Sequence, residues 1–321
     1  MMEVQKNQSQ YKEVPADGQT EQPSETQTDR QLGRGILCII LSAFCFSLMS
    51  LFIRLSGDVP VMQKCFFRNA VALMIALFGL LRSRQGREAF RIGKGNLLYY
   101  FFRAIGGTIG MVCNFYAIDH LAISDASILN KLSPFFAIIF SVFVLKEIAK
   151  PKEWLAVIIA FIGAMFVVKP SFQLEVVPAL IAMLGGCGAG FAYTYLRKLG
   201  MNGENGLMIV LFFSGFSTCV TLPFLIFDYH PMTGMQWLFL ALTGAAAAGG
   251  QIFITKAYKY APAKEISVYD FSNVIFSALW GFLFLSQIPD YFSVIGYIII
   301  IGTAVLKWYF GVHKSRETSA S

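Results

Sequence analysis

Ten apolar runs of about 20 residues each follow one another along this 321-residue chain, separated by short polar loops. At 1.5 Å of rise per residue, a helix of that length crosses the ~30 Å hydrocarbon layer of a membrane. Lipid offers no hydrogen bonds to the backbone, so a spanning segment is a helix or part of a closed barrel, which needs short alternating strands. The runs therefore predict an all-α integral membrane protein. The predicted spans are 35–55, 61–81, 96–117, 121–145, 153–169, 177–197, 206–227, 235–256, 262–285 and 291–310.

The charges indicate how these spans are oriented. The chain is 56% hydrophobic and only 14% charged, whereas a soluble protein carries roughly a quarter charged residues. With a cytoplasmic N-terminus, 20 of the 26 Lys and Arg residues fall on the cytoplasmic side, three on the other side and three within spans. This asymmetry predicts that both termini are cytoplasmic, in the cell (plasma or inner) membrane. The net charge of +7 is then a topology signal with a mild attraction to membrane lipid, not a nucleic-acid patch.

The two halves of the chain are internal copies of one another. At a constant shift of 139 residues, LAISDASILNKLSPFFAIIFSVFVLKE (121–147) aligns with YAPAKEISVYDFSNVIFSALWGFLFLS (260–286). Five spans per copy is an odd number, so the second copy enters the membrane inverted relative to the first. The expected organisation is a disordered cytoplasmic tail (1–34), two five-helix repeats (35–169 and 170–310) and a C-terminal cytoplasmic tail (311–321).

The alignment sets Lys131 opposite Asp270, each about ten residues into a long apolar helix and hence near the middle of the membrane. A charge at that depth is costly unless it is paired or hydrated, so both side chains must face the bundle interior or a cavity. Two interpretations stay open. The residues form a structural ion pair that fixes helix packing, or they line a substrate site. In that site Lys131 receives an anionic group and Asp270 an ammonium group or a proton.

Other polar residues lie at similar depths. Arg68 in QKCFFRNAVAL and Arg103 in LYYFFRAIGG are each roughly 10–12 Å deep, from opposite faces. Arg103 has the alternative of snorkelling to the interface. Amides, phenols and mixed charges together suit a polar organic molecule better than a bare ion, although the same groups also cross-link helices. The remaining candidate substrate-binding residues are Asn114, Asn130, Tyr269 and Asn273.

The sequence shows no signature of a metal, a cofactor or an ATP-driven pump. The three histidines fall in loops or the tail, the six cysteines lack Cys-x-x-Cys spacing, and no Walker-type loop occurs. Gly106-x-x-x-Gly110 and the tract GAAAAGG (244–250) are interpreted as surfaces for close helix packing. We therefore expect no cofactor and no metal.

Together these features resemble the drug/metabolite transporter superfamily and its EamA family. The matching stretches are SAFCFSLMSLFIRLS, Pro60 with FFRNA, HLAISDASILNKLSPFF, LKE (145–147) and YAPAKEIS. The first two spans also look like a subgroup of solute carrier 35 G-type proteins and S-adenosylmethionine carriers. The resemblance implies a ten-helix bundle with a central cavity and alternating access without ATP hydrolysis. The second repeat departs from the family pattern, because it has Ser286-Gln287 where the first repeat has Glu147.

The sequence predicts a secondary carrier, not an enzyme, for a small polar organic metabolite such as an amino acid, a nucleoside or an S-adenosylmethionine-like molecule. A homodimer is left open. One alternative is a broad exporter of drugs or amphipathic cations, but three basic residues within the spans argue against it. A membrane-embedded lipid-modifying enzyme would need a metal set, a Ser/His pair or paired carboxylates near one face. A non-transporting scaffold or receptor would differ from a carrier in showing no substrate flux.

Overall fold

The regular secondary structure of the described residues is helical, with short loops between the helices. The computed structural model describes residues 25–83, 88, 90–146, 151–168, 176–260 and 266–320. A 3₁₀ segment, Ser267–Phe271, directly precedes α10. The helices are α1 (Glu25–Leu55), α2 (Val61–Leu81), α3 (Leu97–His120), α4 (Ile123–Asn130), α5 (Ser133–Val144), α6 (Pro151–Val168), α7 (Val176–Met201), α8 (Gly206–Phe227), α9 (Gly234–Tyr260), α10 (Ser272–Leu285) and α11 (Tyr291–Ala320).

These helices account for the predicted spans. Among the described residues, eight segments are long and apolar enough to cross a membrane, with α4 and α5 forming one of them together. A shorter apolar stretch, Tyr291–Leu306, lies in α11, and α6 is an apolar helix of 18 residues. Each of the ten predicted runs therefore corresponds to a helical segment, which confirms the all-α multi-pass prediction.

The N-terminal end of the described chain differs from the prediction. α1 begins at Glu25, so residues 25–34 are helical where the sequence predicts a disordered tail; residues 1–24 lie outside the described residues. α11 continues to Ala320 through the predicted C-terminal cytoplasmic tail, for which the sequence makes no prediction of disorder. Glu, Gln and Arg are good helix formers, and extending an existing helix requires no new nucleus. The predicted junction between the repeats, at 169/170, also lies outside the described residues.

The two halves pack against each other through exchanged partners. α3 lies along α7 and α1 lies along α9, while α2 packs on α8 and α6 packs on α11. The first helices of the two halves are α1 and α7, and the third are α3 and α9. When the members of each of these pairs are exchanged, the α1–α9 contact becomes the α7–α3 contact. The same exchange leaves the α2–α8 and α6–α11 contacts unchanged. This is the contact pattern of inverted repeats related by a pseudo-two-fold axis.

Glycine allows the backbones of α3 and α7 to approach closely. A Cβ atom on Gly188 would lie 2.8 Å from the Gly110 nitrogen and 2.9 Å from the Gly106 oxygen, closer than real Cβ atoms come to backbone. The glycines of the 244–250 tract pack in a similar way on side chains of α1 and α2. Both stretches therefore serve close helix packing, as their sequences predict.

We expect Gly188→Ala to destabilise the protein by about 1–3 kcal/mol, because the added methyl group overlaps the backbone of α3. Thermal unfolding of the purified protein in detergent should show this as a lower Tm. The matched control is Gly200→Ala on the same helix, where a Cβ would meet nothing within 4 Å. Equal Tm values for the two variants would contradict the close approach of α3 and α7.

At one end of the bundle, an ion pair ties α2 to α3. Lys64 is fully buried near the start of α2, and its Nζ donates to both carboxylate oxygens of Asp119 at 2.7 Å. Lys64 also donates to the Gly57 carbonyl at 2.9 Å, and Arg54 at the end of α1 donates to the Ile118 carbonyl at 2.9 Å. Because neighbouring helices run in opposite directions, the ends of α1 and α3 meet the start of α2 here.

At the opposite end, the loop between α7 and α8 is fastened to the start of α3. Glu204 accepts hydrogen bonds from Tyr100 Oη at 2.9 Å, from the Gly93 N–H at 2.9 Å and from Asn96 Nδ2. Partial burial alone would raise the pKa of Glu204. The three donors favour its charged form and together hold the pKa below its ordinary value.

We expect the Glu204 contacts to weaken in acid. Because the pKa of Glu204 is lower in the folded protein, its contribution to stability is fully present above the ordinary value of 4.5. That contribution is lost as the pH falls through the lowered folded pKa. Between about pH 6 and about pH 3, the Tm of the wild type should therefore fall further than that of Glu204→Gln, which does not titrate. Glu88→Gln, at an exposed residue, should follow the wild type; identical acid profiles for all three proteins would contradict the assignment.

Candidate functional site

The helix that carries Lys131 is interrupted at that residue. α4 ends just before Lys131, and α5 begins two residues after it. Pro134 explains the interruption, because its nitrogen carries no hydrogen and the Asn130 carbonyl loses its helical donor. The Phe135 N–H bonds to the Leu132 carbonyl at 2.9 Å. The length of the apolar run predicts one continuous helix here, and the structure corrects this prediction. Pro134 was the sequence signal for the interruption.

The second repeat is interrupted at the corresponding residue, Asp270. Asp270 lies in the 3₁₀ segment Ser267–Phe271, which passes directly into α10. Ser272 Oγ donates to the Tyr269 carbonyl at 2.7 Å. Such side-chain bonds to the backbone compete with regular helix geometry and accompany a tightened turn. The continuous helix predicted around Asp270 is therefore also corrected, and both charged residues lie at matched interruptions.

The two interruptions meet through their charged side chains. Lys131 Nζ forms a salt bridge with Asp270 Oδ2. The two side chains are 16% and 25% exposed, so neither is sealed off. Asp270 Oδ1 is buried and has no hydrogen-bond partner among the described residues. The pair thus joins the two repeats while leaving one carboxylate oxygen without a hydrogen-bond partner among the described residues.

Each interruption is crossed by the first helix of the other repeat. α7 passes the first interruption so closely that a Cβ on Gly186 would lie 2.9 Å from the Leu129 carbonyl oxygen. At the second interruption, Asn273 Nδ2 donates to the Ala43 carbonyl of α1 at 2.9 Å. The pseudo-two-fold arrangement therefore positions both halves of the charged pair.

The other predicted site residues divide into two groups. Asn273 is buried and its amide is bonded to α1, while the Tyr269 ring packs against Trp308 with centroids 6.1 Å apart. Asn114 and Asn130 are partly buried, and their side chains form no hydrogen bond to another described residue. The structure thus gives Asn273 and Tyr269 packing contacts and leaves the two other amides available.

Arg68 and Arg103 meet at one aromatic ring, although they come from α2 and α3. Their guanidinium carbons lie 5.9 Å and 4.6 Å from the centroid of Phe213 in α8. Arg68 Nη1 donates to Asn69 Oδ1 at 2.8 Å. The Nε atoms of both arginines are buried and have no hydrogen-bond partner among the described residues. Arg103 is therefore packed against α8 instead of snorkelling to the interface.

Three contacts that shape this region of the protein were not predicted from the sequence. Phe213 carried no signal, since it is one of 31 phenylalanines in an apolar chain. The pairing of Lys64 could have been found from the acidic residue at the same end of the next helix. Gln287 Oε1 accepts a hydrogen bond from the Ile123 N–H at 3.1 Å, so it caps the start of α4. Glu147, which the alignment sets opposite the neighbouring Ser286, lies outside the described residues.

Comparison with known proteins identifies the family. The EamA-like transporter family matches the chain twice, at residues 33–169 and 177–308. The chain belongs to this family. The pseudopaline exporter CntI of Pseudomonas aeruginosa (strain UCBPP-PA14) is 33% identical over 274 residues, 84% of this chain and 94% of that protein. Human solute carrier family 35 member G1 is 26% identical over 296 residues, 86% of this chain and 80% of that protein.

A solved crystal structure shares the fold, with a TM-score of 0.63 at 16% identity over 87% of this chain and 98% of that chain. The EamA-family chain is thus a multi-pass membrane transporter of small molecules, which confirms that part of the prediction. The resemblance to drug/metabolite transporters and to solute carrier 35 G-type proteins is confirmed as well. Among the described residues, no group of three or more His, Cys, Asp or Glu side chains is arranged to hold a metal ion.

We expect Lys131→Met and Asp270→Asn each to lower the Tm, because each leaves the other group of the pair without its partner. The loss in the double variant should be smaller than the sum of the single losses, with a coupling energy of roughly 0.5–3 kcal/mol. Unfolding of the four proteins in detergent measures this cycle. The same cycle on two exposed residues, Lys94→Met and Asp228→Asn, should give no coupling. Zero coupling between Lys131 and Asp270 would contradict their contact.

Proposed function

We propose that this transporter is a secondary active carrier that moves a small polar organic metabolite by alternating access around the Lys131–Asp270 pair. The observation that carries the proposal is a salt bridge between charged residues at corresponding helix interruptions of the two repeats. In transporters built from inverted repeats, interrupted helices near the membrane midplane provide the substrate and coupling-ion sites.

The depth of the pair supports a hydrated site. Lys131 lies about eight residues, or ~12 Å, from the start of α4, which is close to the centre of a ~30 Å hydrocarbon layer. Charges at that depth face a cavity or a partner, since hydrocarbon solvates them poorly. The partial exposure of both side chains is then exposure to a polar space inside the bundle. The Asn130 carbonyl, which lacks a helical donor, adds an acceptor at the same place.

The chemistry of this site suits a molecule with separated polar groups. Lys131 receives an anionic group, while Asp270 receives an ammonium group or a coupling proton through its unpartnered oxygen. Asn114 and Asn130 provide further amide donors and acceptors. The basic residues within the bundle disfavour the alternative substrate class of amphipathic cations. Similarity to a protein named a pseudopaline exporter favours export of an organic metabolite.

Alternating access follows from the way the pair joins the repeats. Separating Lys131 from Asp270 on substrate binding frees the two repeats to move relative to each other, in the manner of a rigid-body transition. The contacts of Glu204, which join the second repeat to the start of α3 in the first, then hold one end of the bundle closed. In the proposed topology the Lys64 end faces outward, and the Glu204 end and both termini face the cytoplasm of the cell.

Transport assays test the site directly. A thermal-shift screen of the purified protein against amino acids, nucleosides and S-adenosylmethionine selects the solute, and its radiolabelled form is then followed into proteoliposomes. We expect Lys131→Ala and Asp270→Ala each to reduce flux to the level of empty liposomes, because each removes a group that binds the substrate. Both variants should still insert as monodisperse protein. Lys94→Ala and Asp228→Ala, at exposed residues, are the matched controls and should transport at the wild-type rate.

Two outcomes would argue against the proposal. Normal flux in both alanine variants would remove the site assignment. Restored flux in the exchanged variant, Lys131→Asp with Asp270→Lys, would show that the pair serves helix packing, because a bound substrate would meet each charge in the wrong place.

A further inference from the structure

Arg68 and Arg103 lack a counter-charge in the described part of the chain. The acidic side chains of the neighbouring spans have other partners: Asp119 pairs with Lys64, and Asp270 pairs with Lys131. No described carboxylate forms a salt bridge with either arginine. Two permanently charged groups therefore share one aromatic ring inside the bundle without neutralisation.

Such an arrangement is unfavourable for the empty protein. Arg68 is only 8% exposed, and burying a charge without a counter-ion carries a desolvation penalty that one hydrogen bond to Asn69 and one ring contact offset only in part. Its like-charged neighbour Arg103 adds repulsion. Sites that bind charged ligands commonly keep such unfavourable groups, because the ligand removes the penalty when it binds.

The guanidinium N–H groups that have no partner among the described residues suit a planar anion. A guanidinium group presents its Nε and one terminal nitrogen as a fork that fits the two oxygens of a carboxylate. Asn69 takes a hydrogen bond from Nη1 of Arg68, which leaves that fork unused. The Phe213 ring holds both guanidinium groups by cation–π contact.

We propose that the Arg68–Arg103 pair binds a carboxylate of the transported molecule, so that the substrates of this carrier are organic carboxylates. This inference rests on the proposed carrier function and adds the substrate class. The arginines hold the carboxylate, while the Lys131–Asp270 pair receives the other polar groups of the same solute.

The test uses carboxylates beside their neutral amides at constant ionic strength. Glutarate is compared with glutaramide, and succinate with succinamide, by the shift in Tm that each produces in the full-length protein. The wild type should be stabilised by the acids and not by the amides. In Arg68→Gln and Arg103→Gln, carboxylate affinity should fall roughly 10- to 100-fold, which is the effect of losing one hydrogen bond to a charged group. Arg68→Lys should keep part of the affinity, and Arg34→Gln, at an exposed residue, should keep all of it.

The ligand-free proteins give a second readout that separates binding from packing. Removing an unpaired buried charge should raise the Tm of Arg68→Gln and Arg103→Gln above that of the wild type without ligand. A lower ligand-free Tm together with an unchanged response to carboxylates would overturn the inference, because both results indicate a packing role.

The phosphate of an anionic lipid offers similar chemistry, and nanodiscs distinguish it. Protein in phosphatidylcholine alone is compared with protein in phosphatidylcholine plus phosphatidylglycerol. Stabilisation that comes only from the anionic lipid, is lost in the arginine variants and is absent with carboxylates would overturn the assignment to a transported solute.

Flux measurements separate this inference from the carrier proposal. Arginine-dependent carboxylate binding without flux in any protein would remove the carrier mechanism but leave the anion site. Flux of a solute that requires Lys131 yet is unchanged in both arginine variants would leave the carrier and overturn the carboxylate site.

Discussion

Every backbone polar group that crosses a membrane has to find its partner within the protein, because hydrocarbon offers none. The interruptions at Lys131 and Asp270 break this rule locally and are tolerated because another helix covers each of them. α7 covers the first at Gly186, and α1 covers the second through Asn273. Since each covering helix belongs to the other repeat, the central pair exists only when both repeats are packed together.

The charged side chains of the bundle are of two kinds, which differ in how completely hydrogen bonds and counter-ions satisfy them. Lys64 is fully buried and contacts both oxygens of Asp119, as expected of a group that holds helices together. Asp270 keeps one oxygen without a partner, and Arg68 and Arg103 keep their Nε atoms without partners among the described residues. Incomplete satisfaction deep in a membrane protein is unfavourable for stability, and it is concentrated in the proposed substrate path.

Much of the fold could be predicted from the sequence, because the length of an apolar run and the placement of Lys and Arg are direct consequences of the bilayer. The internal repeat even set Lys131 opposite Asp270 before any contact was known. The helix interruptions were harder to predict from the sequence. Pro134 signalled the first, but no proline stands near Asp270, where a serine bonded to the backbone accompanies the tightened turn. The meeting of two arginines on Phe213 depends on how α2, α3 and α8 pack, and no local pattern encodes it.

The polar tails show a second way in which prediction from the sequence falls short. Their lack of apolar residues predicts segments outside the lipid, but burial and helicity are separate properties. Residues 25–34 of α1 are polar and helical, since a helix already formed in the bilayer can extend into water with favourable residues.

The exchanged packing of the two halves also constrains how the chain is made. Lys131 leaves the ribosome 139 residues ahead of Asp270, so the nascent first half enters the lipid with a cation that has no counter-ion. α1 and α3 likewise wait for α9 and α7. Assembly is therefore completed only after the last helices have been inserted, and neither half is a finished folding unit by itself.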